Sequence, residues 1–110
     1  IHKKKYNKSW VIFEPHTYSR AFKHKEDFAK SLKDFDYIII TDIYAAREIN
    51  TYGIKEEDII REIKKYGKEA FHISSYDDIK LYLSQYVEKG DLILTLGAGN
   101  VTKLADMLVK

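Results

Sequence analysis

The sequence contains no cysteine among its 110 residues. This absence excludes a disulfide scaffold, a thiolate metal site and a cysteine nucleophile, and it agrees with a reducing compartment such as the cytoplasm. Long apolar runs are also absent, because none approaches the roughly 18 residues that a helix needs to span a bilayer. The sequence therefore predicts no membrane-spanning helix and no membrane partner.

The chain has little excess charge of either sign. Lysine and arginine number 19 against 17 acidic residues, for a net charge of +2. Such a balance predicts no nucleic-acid partner unless the positive charge is segregated on one face. The densest basic segment, residues 3–5 with Lys8, is interpreted as a solvated segment more readily than as a phosphate-binding arm.

A phosphate-binding loop of the form GxxxxGK[ST] is missing as well. Without such a loop the chain has no evident means of holding an ATP triphosphate by itself. The sequence therefore excludes a self-contained kinase or ATPase.

What is present is typical of one globular domain. The residues are 45% hydrophobic and 33% charged, and 110 residues provide one core. The sequence opens on Ile1 with a basic segment in place of a secretory signal, so we expect a part of a longer polypeptide.

Short apolar runs alternate with helical patterns along the whole chain. Strands are predicted over residues 10–13, 37–41, 70–73 and 92–96. The predicted helices are residues 20–33 with Ser19 as the N-cap, a stripe over 59–66 that Gly67 ends, a segment from the N-cap Ser75 to Gly90, and residues 101–108. This order predicts an α/β fold, a Rossmann-like three-layer domain whose mainly parallel sheet has at least four strands alternating with helices, joined by right-handed crossovers.

Functional groups in such sheets collect in the loops that follow the carboxyl ends of the strands, which here are residues 14–20, 41–50 and 97–100. Gly97 and Gly99 in the last loop are weak candidates for cofactor binding. The pair lacks the third glycine of a dinucleotide-binding motif, so a tight turn is the simpler interpretation. Backbone N–H groups at the beginning of a helix can nevertheless bind an anion.

The first of these loops contains His16 and Arg20, four residues apart where a strand gives way to a helix. The imidazole of His16 titrates near neutrality, and the guanidinium of Arg20 can bind a carboxylate or phosphate through two parallel hydrogen bonds. Together they predict an anion site. Taken singly, each also fits an ordinary surface residue. An arginine in the first turn of a helix is mildly unfavourable unless an anion is also there, which favours the functional interpretation.

At this point the residues resemble a known family. The segments FEPHTYSR (13–20), DFA (27–29), YAARE (44–48) and GDLILTLGAG (90–99) are similar, in order and spacing, to the C-terminal domain of the Mur ligases. Within that family they resemble the ligase that joins L-alanine to UDP-N-acetylmuramic acid. The resemblance implies residues 1–110 are one C-terminal domain, lacking its first strand and the upstream UDP-sugar and ATPase domains.

The resemblance also implies a function. The full-length protein would be a cytoplasmic, ATP-dependent, amide-forming ligase of peptidoglycan biosynthesis that works through an acyl phosphate. ATP and Mg²⁺ would be bound mainly by the missing central domain, and this chain would help bind amino acid and nucleotide, close the active site, and be inactive alone. No metal ligand is expected in this chain.

By the same resemblance, His16 and Arg20 lie beside the incoming alanine and the acyl phosphate, while Tyr44 and Glu48 are weaker substrate-binding candidates. No residue is assigned as catalytic. Many relatives have a second arginine where Thr17 stands, and others a glycine where Arg47 stands.

Two alternatives remain open. The chain fits a stand-alone α/β module that binds a small carboxylate or nucleotide. It also fits the C-terminal domain of a related murein-peptide ligase, although that ligase's pattern has an arginine at the position of His16.

Overall fold

The computed structural model of the protein describes residues 7–97. Four strands alternate with three helices in this part of the chain. In chain order they are β1 (Ser9–Glu14), α1 (Tyr18–Leu32), β2 (Tyr37–Ile40), α2 (Glu56–Lys64), β3 (Ala70–His72), α3 (Tyr76–Tyr86) and β4 (Leu92–Gly97). The predicted helix over residues 101–108 lies outside the described residues, as do Gly99 and the basic residues 3–5.

The four strands form one sheet in the order β3-β2-β1-β4, and every neighbouring pair is parallel. The register pairs Ile12 with Ile39 on one side and with Thr95 on the other, so β1 and β2 are the two central strands. All four predicted strands are confirmed, and so is the α/β fold with a parallel sheet.

Helices cover both faces of the sheet, as the three-layer prediction requires. The side chains of Val11, Ile38 and Ile40 pack in one buried cluster with residues of α1 and α2. Alternate positions of the same strands, Trp10, Ile12 and Ile39, pack in a second cluster with Ile79 and Leu83 of α3. Because successive side chains of a strand point to opposite faces, two buried faces produce the continuous apolar runs seen in the sequence.

Two predicted helix boundaries are wrong. Helix α1 begins at Tyr18 with Thr17 as its N-cap, because the Thr17 hydroxyl accepts a hydrogen bond from the Arg20 backbone N–H, and Ser19 therefore lies inside the first turn. Helix α3 ends at Tyr86 and not at Gly90, because Val87 already has an extended backbone (φ −76°, ψ 133°). Gly90 instead has a left-handed φ of 93° in the turn before β4.

The remaining helix ends agree more closely with the sequence. Ser75 is the N-cap of α3, and its hydroxyl accepts from the backbone N–H of Asp78. Helix α2 ends at Lys64, and Gly67 follows with the left-handed φ of 75° that its position predicted. No helix within residues 7–97 is long and apolar enough to cross a membrane.

Candidate functional site

The loops after β1 and β2 are joined to each other beyond the ends of those strands. The Tyr44 N–H donates to the Pro15 carbonyl at 2.8 Å, and the Thr17 N–H donates to the Tyr44 carbonyl at 2.7 Å. These bonds place His16 opposite Tyr44 in an isolated parallel bridge, with ring centroids 5.4 Å apart. The imidazole of His16 is therefore held against the Tyr44 ring at the carboxyl edge of the sheet.

Glu48 makes a tight contact with the beginning of α1. Its two carboxylate oxygens accept hydrogen bonds from the Ser19 backbone N–H (2.9 Å) and from the Ser19 hydroxyl (2.6 Å). The hydroxyl and then the backbone N–H of Ser19 lower the pKa of Glu48 below its usual value of 4.5. The first turn of α1 contains no acidic residue of its own, so Glu48 brings a negative charge to the positive end of this helix.

The strand order places a crevice between β1 and β4. After β1 the chain builds the sheet outward through β2 and β3, and it then returns to the other side of β1 as β4. A parallel sheet opens a crevice at the carboxyl ends of the strands where this reversal occurs, and ligands bind there in many α/β proteins.

A cleft of about 620 Å³ lies at this position. Four polar side chains line it, namely Glu14, His16, Arg20 and His24. The rings of Phe13 and Phe28, with centroids 4.9 Å apart, form its apolar part.

Arg20 is exposed, and its side chain lines the cleft from the first turn of α1. Within residues 7–97, no carboxylate oxygen lies within 4.0 Å of its guanidinium nitrogens. The planar donor fork is thus available for a carboxylate or phosphate on a ligand.

Glu14 is a site residue that sequence reasoning missed. It is only 6% exposed, and its Oε2 accepts a hydrogen bond from the Tyr76 hydroxyl at 2.6 Å, while the buried Oε1 has no hydrogen-bond partner among residues 7–97. Burial, together with the bond to Glu14, raises the pKa of Tyr76, so this hydroxyl remains a donor. The available signal was a carboxylate at the last position of a buried strand, directly before a proline.

Gly97 lines the same cleft, at the end of β4 beside Glu14. A Cβ at this position would lie 2.7 Å from the Glu14 carbonyl oxygen, and the backbone φ is 133°. Close approach of β4 to β1 therefore requires glycine here, whether or not its amide also binds a ligand.

The structure brings some of the predicted site residues together and separates others. His16, Arg20 and Gly97 share the cleft, and Tyr44 packs beside His16. Glu48 is bonded to Ser19 and does not line the cleft, while Gly99 lies outside the described residues. The guanidinium of Arg20 beside the imidazole of His16 can bind a small molecule that has an anionic group, as an amino acid does.

Comparison with known proteins identifies similar sequences. The UDP-N-acetylmuramate–L-alanine ligase of Lachnospira eligens is 42% identical over 105 residues, covering 96% of this chain and 23% of the relative. The ligase of the same name from Caldanaerobacter subterraneus subsp. tengcongensis is 46% identical over 100 residues, covering 91% of this chain and 22% of the relative. This chain is a homologue of a C-terminal fragment of these ligases.

The resemblance of this chain to the UDP-N-acetylmuramate–L-alanine ligases is thus confirmed over nearly its whole length. The chain spans between a fifth and a quarter of the length of these curated relatives. No protein-family model matches it.

A solved structure agrees on the fold. The UDP-N-acetylmuramate–alanine ligase of Thermotoga maritima superposes with a TM-score of 0.66 at 23% identity, over 93% of this chain and 20% of that one. At this identity the likeness concerns the fold, which is the same α/β arrangement.

Proposed function

We propose that this chain is the C-terminal domain of an ATP-dependent ligase that joins L-alanine to UDP-N-acetylmuramic acid in peptidoglycan biosynthesis. The observation that carries the proposal is the identity of 40% or more to ligases of that name over at least 90% of this chain. The cleft at the carboxyl ends of β1 and β4 supports it, because its charged groups suit an amino acid.

The proposed reaction has two steps. Transfer of the terminal phosphoryl group of ATP to the muramate carboxylate yields ADP and an acyl phosphate. The alanine amine then attacks the acyl carbon, and the tetrahedral intermediate collapses with cleavage of the bond to phosphate. An amide, inorganic phosphate and one released proton result.

In this proposal the cleft residues act on the second step. Arg20 binds the carboxylate of alanine or neutralises the developing oxyanion, and His16 lies beside the attacking amine.

The described residues of the cleft do not fit a Mg²⁺ site. They supply one carboxylate, Glu14, whose Oε2 already accepts the Tyr76 hydroxyl and whose Oε1 is buried, so this carboxylate is poorly placed to bind Mg²⁺ in the cleft. We therefore assign ATP and Mg²⁺ binding mainly to parts of the ligase outside this chain, and closure over the active site to this domain.

The full-length protein that contains this chain tests the proposal. We expect ADP release that requires both UDP-N-acetylmuramic acid and L-alanine, with a product heavier than the nucleotide sugar by one alanine residue in mass spectrometry. ADP release with a peptide in place of alanine would assign the chain to a murein-peptide ligase instead. Binding of small carboxylates without any turnover would make it a binding module.

A further inference from the structure

A second group of ionisable side chains lies at the carboxyl ends of β2 and β3, and none of them lines the cleft. Asp42 follows β2, Glu56 is the first residue of α2, and His72 is the last residue of β3. We propose that Asp42, Glu56 and His72 bind a divalent transition-metal ion of the zinc type. This inference is independent of the proposed ligase function, and it departs from the sequence analysis, which expected no metal ligand.

The three side chains already converge. Each offers one ligand atom, and these atoms all lie within 4.8 Å of one another. The Nε2 of His72 and the Oδ1 of Asp42 are 2.6 Å apart. Ligand atoms around a tetrahedral Zn²⁺ are roughly 3.3 Å apart, given metal–ligand distances of about 2.0–2.1 Å, so small side-chain rotations are enough to admit the ion.

Neighbouring groups orient the ligands. The Nδ1 of His72 lies 3.4 Å from Glu57 Oε2, which leaves Nε2 turned toward Asp42. Glu56 Oε2 accepts the backbone N–H of Ile43 at 2.9 Å, which holds that carboxylate in place. A carboxylate behind a metal-bound histidine, and hydrogen bonds that orient the other ligands, are the usual supports of a metal site.

The ligand set selects the kind of ion. Imidazole suits Zn²⁺ and its neighbours in the first transition row, whereas Mg²⁺ and Ca²⁺ prefer ligand sets made of oxygen alone. The Asp42 side chain is 59% exposed and the His72 side chain 25% exposed, so the site is open to solvent on one side. Three protein ligands with an open position leave room for water or a further ligand.

Zinc titration of the metal-free chain by calorimetry tests this inference. We expect one Zn²⁺ per chain, with an affinity at least tenfold weaker in Asp42→Asn and in His72→Phe. The matched control is His24→Gln, because His24 also pairs with an aspartate, Asp27, at 3.5 Å, without a third ligand in the described part of the chain. This control should keep the wild-type affinity, and Mg²⁺ at a hundredfold excess should not compete.

Two results would overturn the inference. One is a zinc affinity that neither Asp42→Asn nor His72→Phe changes, and the other is an equal loss in His24→Gln. Asp42→Asn alters only an exposed carboxylate, so its result holds even if His72→Phe disturbs the fold.

Discussion

Arg20 occupies the third position of α1, directly after Tyr18 and Ser19. A cation in the first turn faces the partial positive charge of the helix end, a cost of about 0.3–1 kcal/mol that an anion nearby removes. Glu48 supplies one such anion through Ser19, but it bonds Ser19 and not the arginine. The arginine side chain thus remains available for an anionic ligand in the cleft.

The first prediction concerns Arg20→Lys in the full-length protein. Lysine keeps the charge but loses the second parallel hydrogen bond of the guanidinium, and charge-assisted bonds contribute roughly 1.5–3 kcal/mol each. We expect kcat/KM for alanine to fall by about 10-fold to 150-fold, with an unchanged melting temperature.

The control for this change is Arg61→Lys, because Arg61 is an exposed arginine of α2 whose partner is Asp58 at 3.1 Å. It should leave alanine kinetics unchanged. Wild-type kinetics in Arg20→Lys itself would show that Arg20 is only a surface residue, and the case for His16 would weaken with it.

The second prediction concerns the pH dependence contributed by Glu48. Because folding lowers its pKa below 4.5, the ionised carboxylate stabilises the protein above that value, and this contribution is lost as the pH falls through the lower pKa of the folded state. Glu48→Gln should therefore lower the melting temperature at neutral pH. The gap to wild type should narrow as the solution is acidified from about pH 7 to about pH 3.

Melting curves across this pH range measure the effect. The control is Glu26→Gln, which changes an exposed glutamate on α1. Its melting temperature should not show a difference from wild type that shrinks as the pH falls. If the difference in melting temperature between Glu48→Gln and wild type were the same at all pH values, the bonds to Ser19 would not depend on the charge of Glu48.

At the scale of elements, β1 and β2 contribute buried side chains to the clusters on both faces of the sheet. Ile39 lies in the middle of β2, is fully buried, and pairs with Ile12 of β1 and Phe71 of β3. On the face toward α3 it packs in the same cluster as Ile79 and Leu83. A side chain enclosed in this way cannot reach water without breaking the sheet or displacing α3.

The third prediction follows for Ile39→Asp. The change buries an unpaired carboxylate, so we expect a loss of about 4 kcal/mol or more in the free energy of unfolding and no cooperative melting transition. Lys80→Asp introduces the same residue on the exposed side of α3 and should change stability by no more than about 0.5 kcal/mol. Denaturant titration followed by circular dichroism compares the two, and a cooperatively folded Ile39→Asp protein would contradict the buried position.

At the scale of the whole molecule, this chain spans less than a quarter of its ligase relatives and contains no phosphate-binding loop. The fourth prediction is that the chain alone neither hydrolyses ATP nor forms an amide, at any Mg²⁺ concentration. Turnover above background in a clean preparation would overturn the assignment to a C-terminal domain.

The same reasoning bounds the affinity of the isolated chain for alanine. The amino acid has about six heavy atoms, and a limit of about 1.5 kcal/mol per atom bounds even a complete site near 9 kcal/mol. Half of this bound, about 4.5 kcal/mol, corresponds to a Kd of about 0.5 mM. Calorimetric titration showing micromolar binding of alanine by the chain alone would mean that the amino-acid site is complete within it.

The sequence by itself determined the elements and much of the family resemblance. Apolar runs bounded by turn residues located all four strands. The pattern was clearest for β1 and β2, because these strands are buried on both faces. The segment FEPHTYSR likewise marked His16 and Arg20, which the structure places in one cleft. Boundaries were less secure, since the sequence predicted Ser19 as the N-cap of α1 and the structure places the N-cap at Thr17.

Only the tertiary structure decided which distant groups meet. Glu48 reaches Ser19 across 29 positions and Asp42 reaches His72 across 30, and neither pairing has a local signal. The strand order placed Glu14 beside Gly97, and one oxygen of Glu14 is buried without a partner in the described part of the chain. The physical reason is that periodicity reports which residues are covered, whereas the identity of a hydrogen-bond partner depends on how the strands are ordered in the sheet.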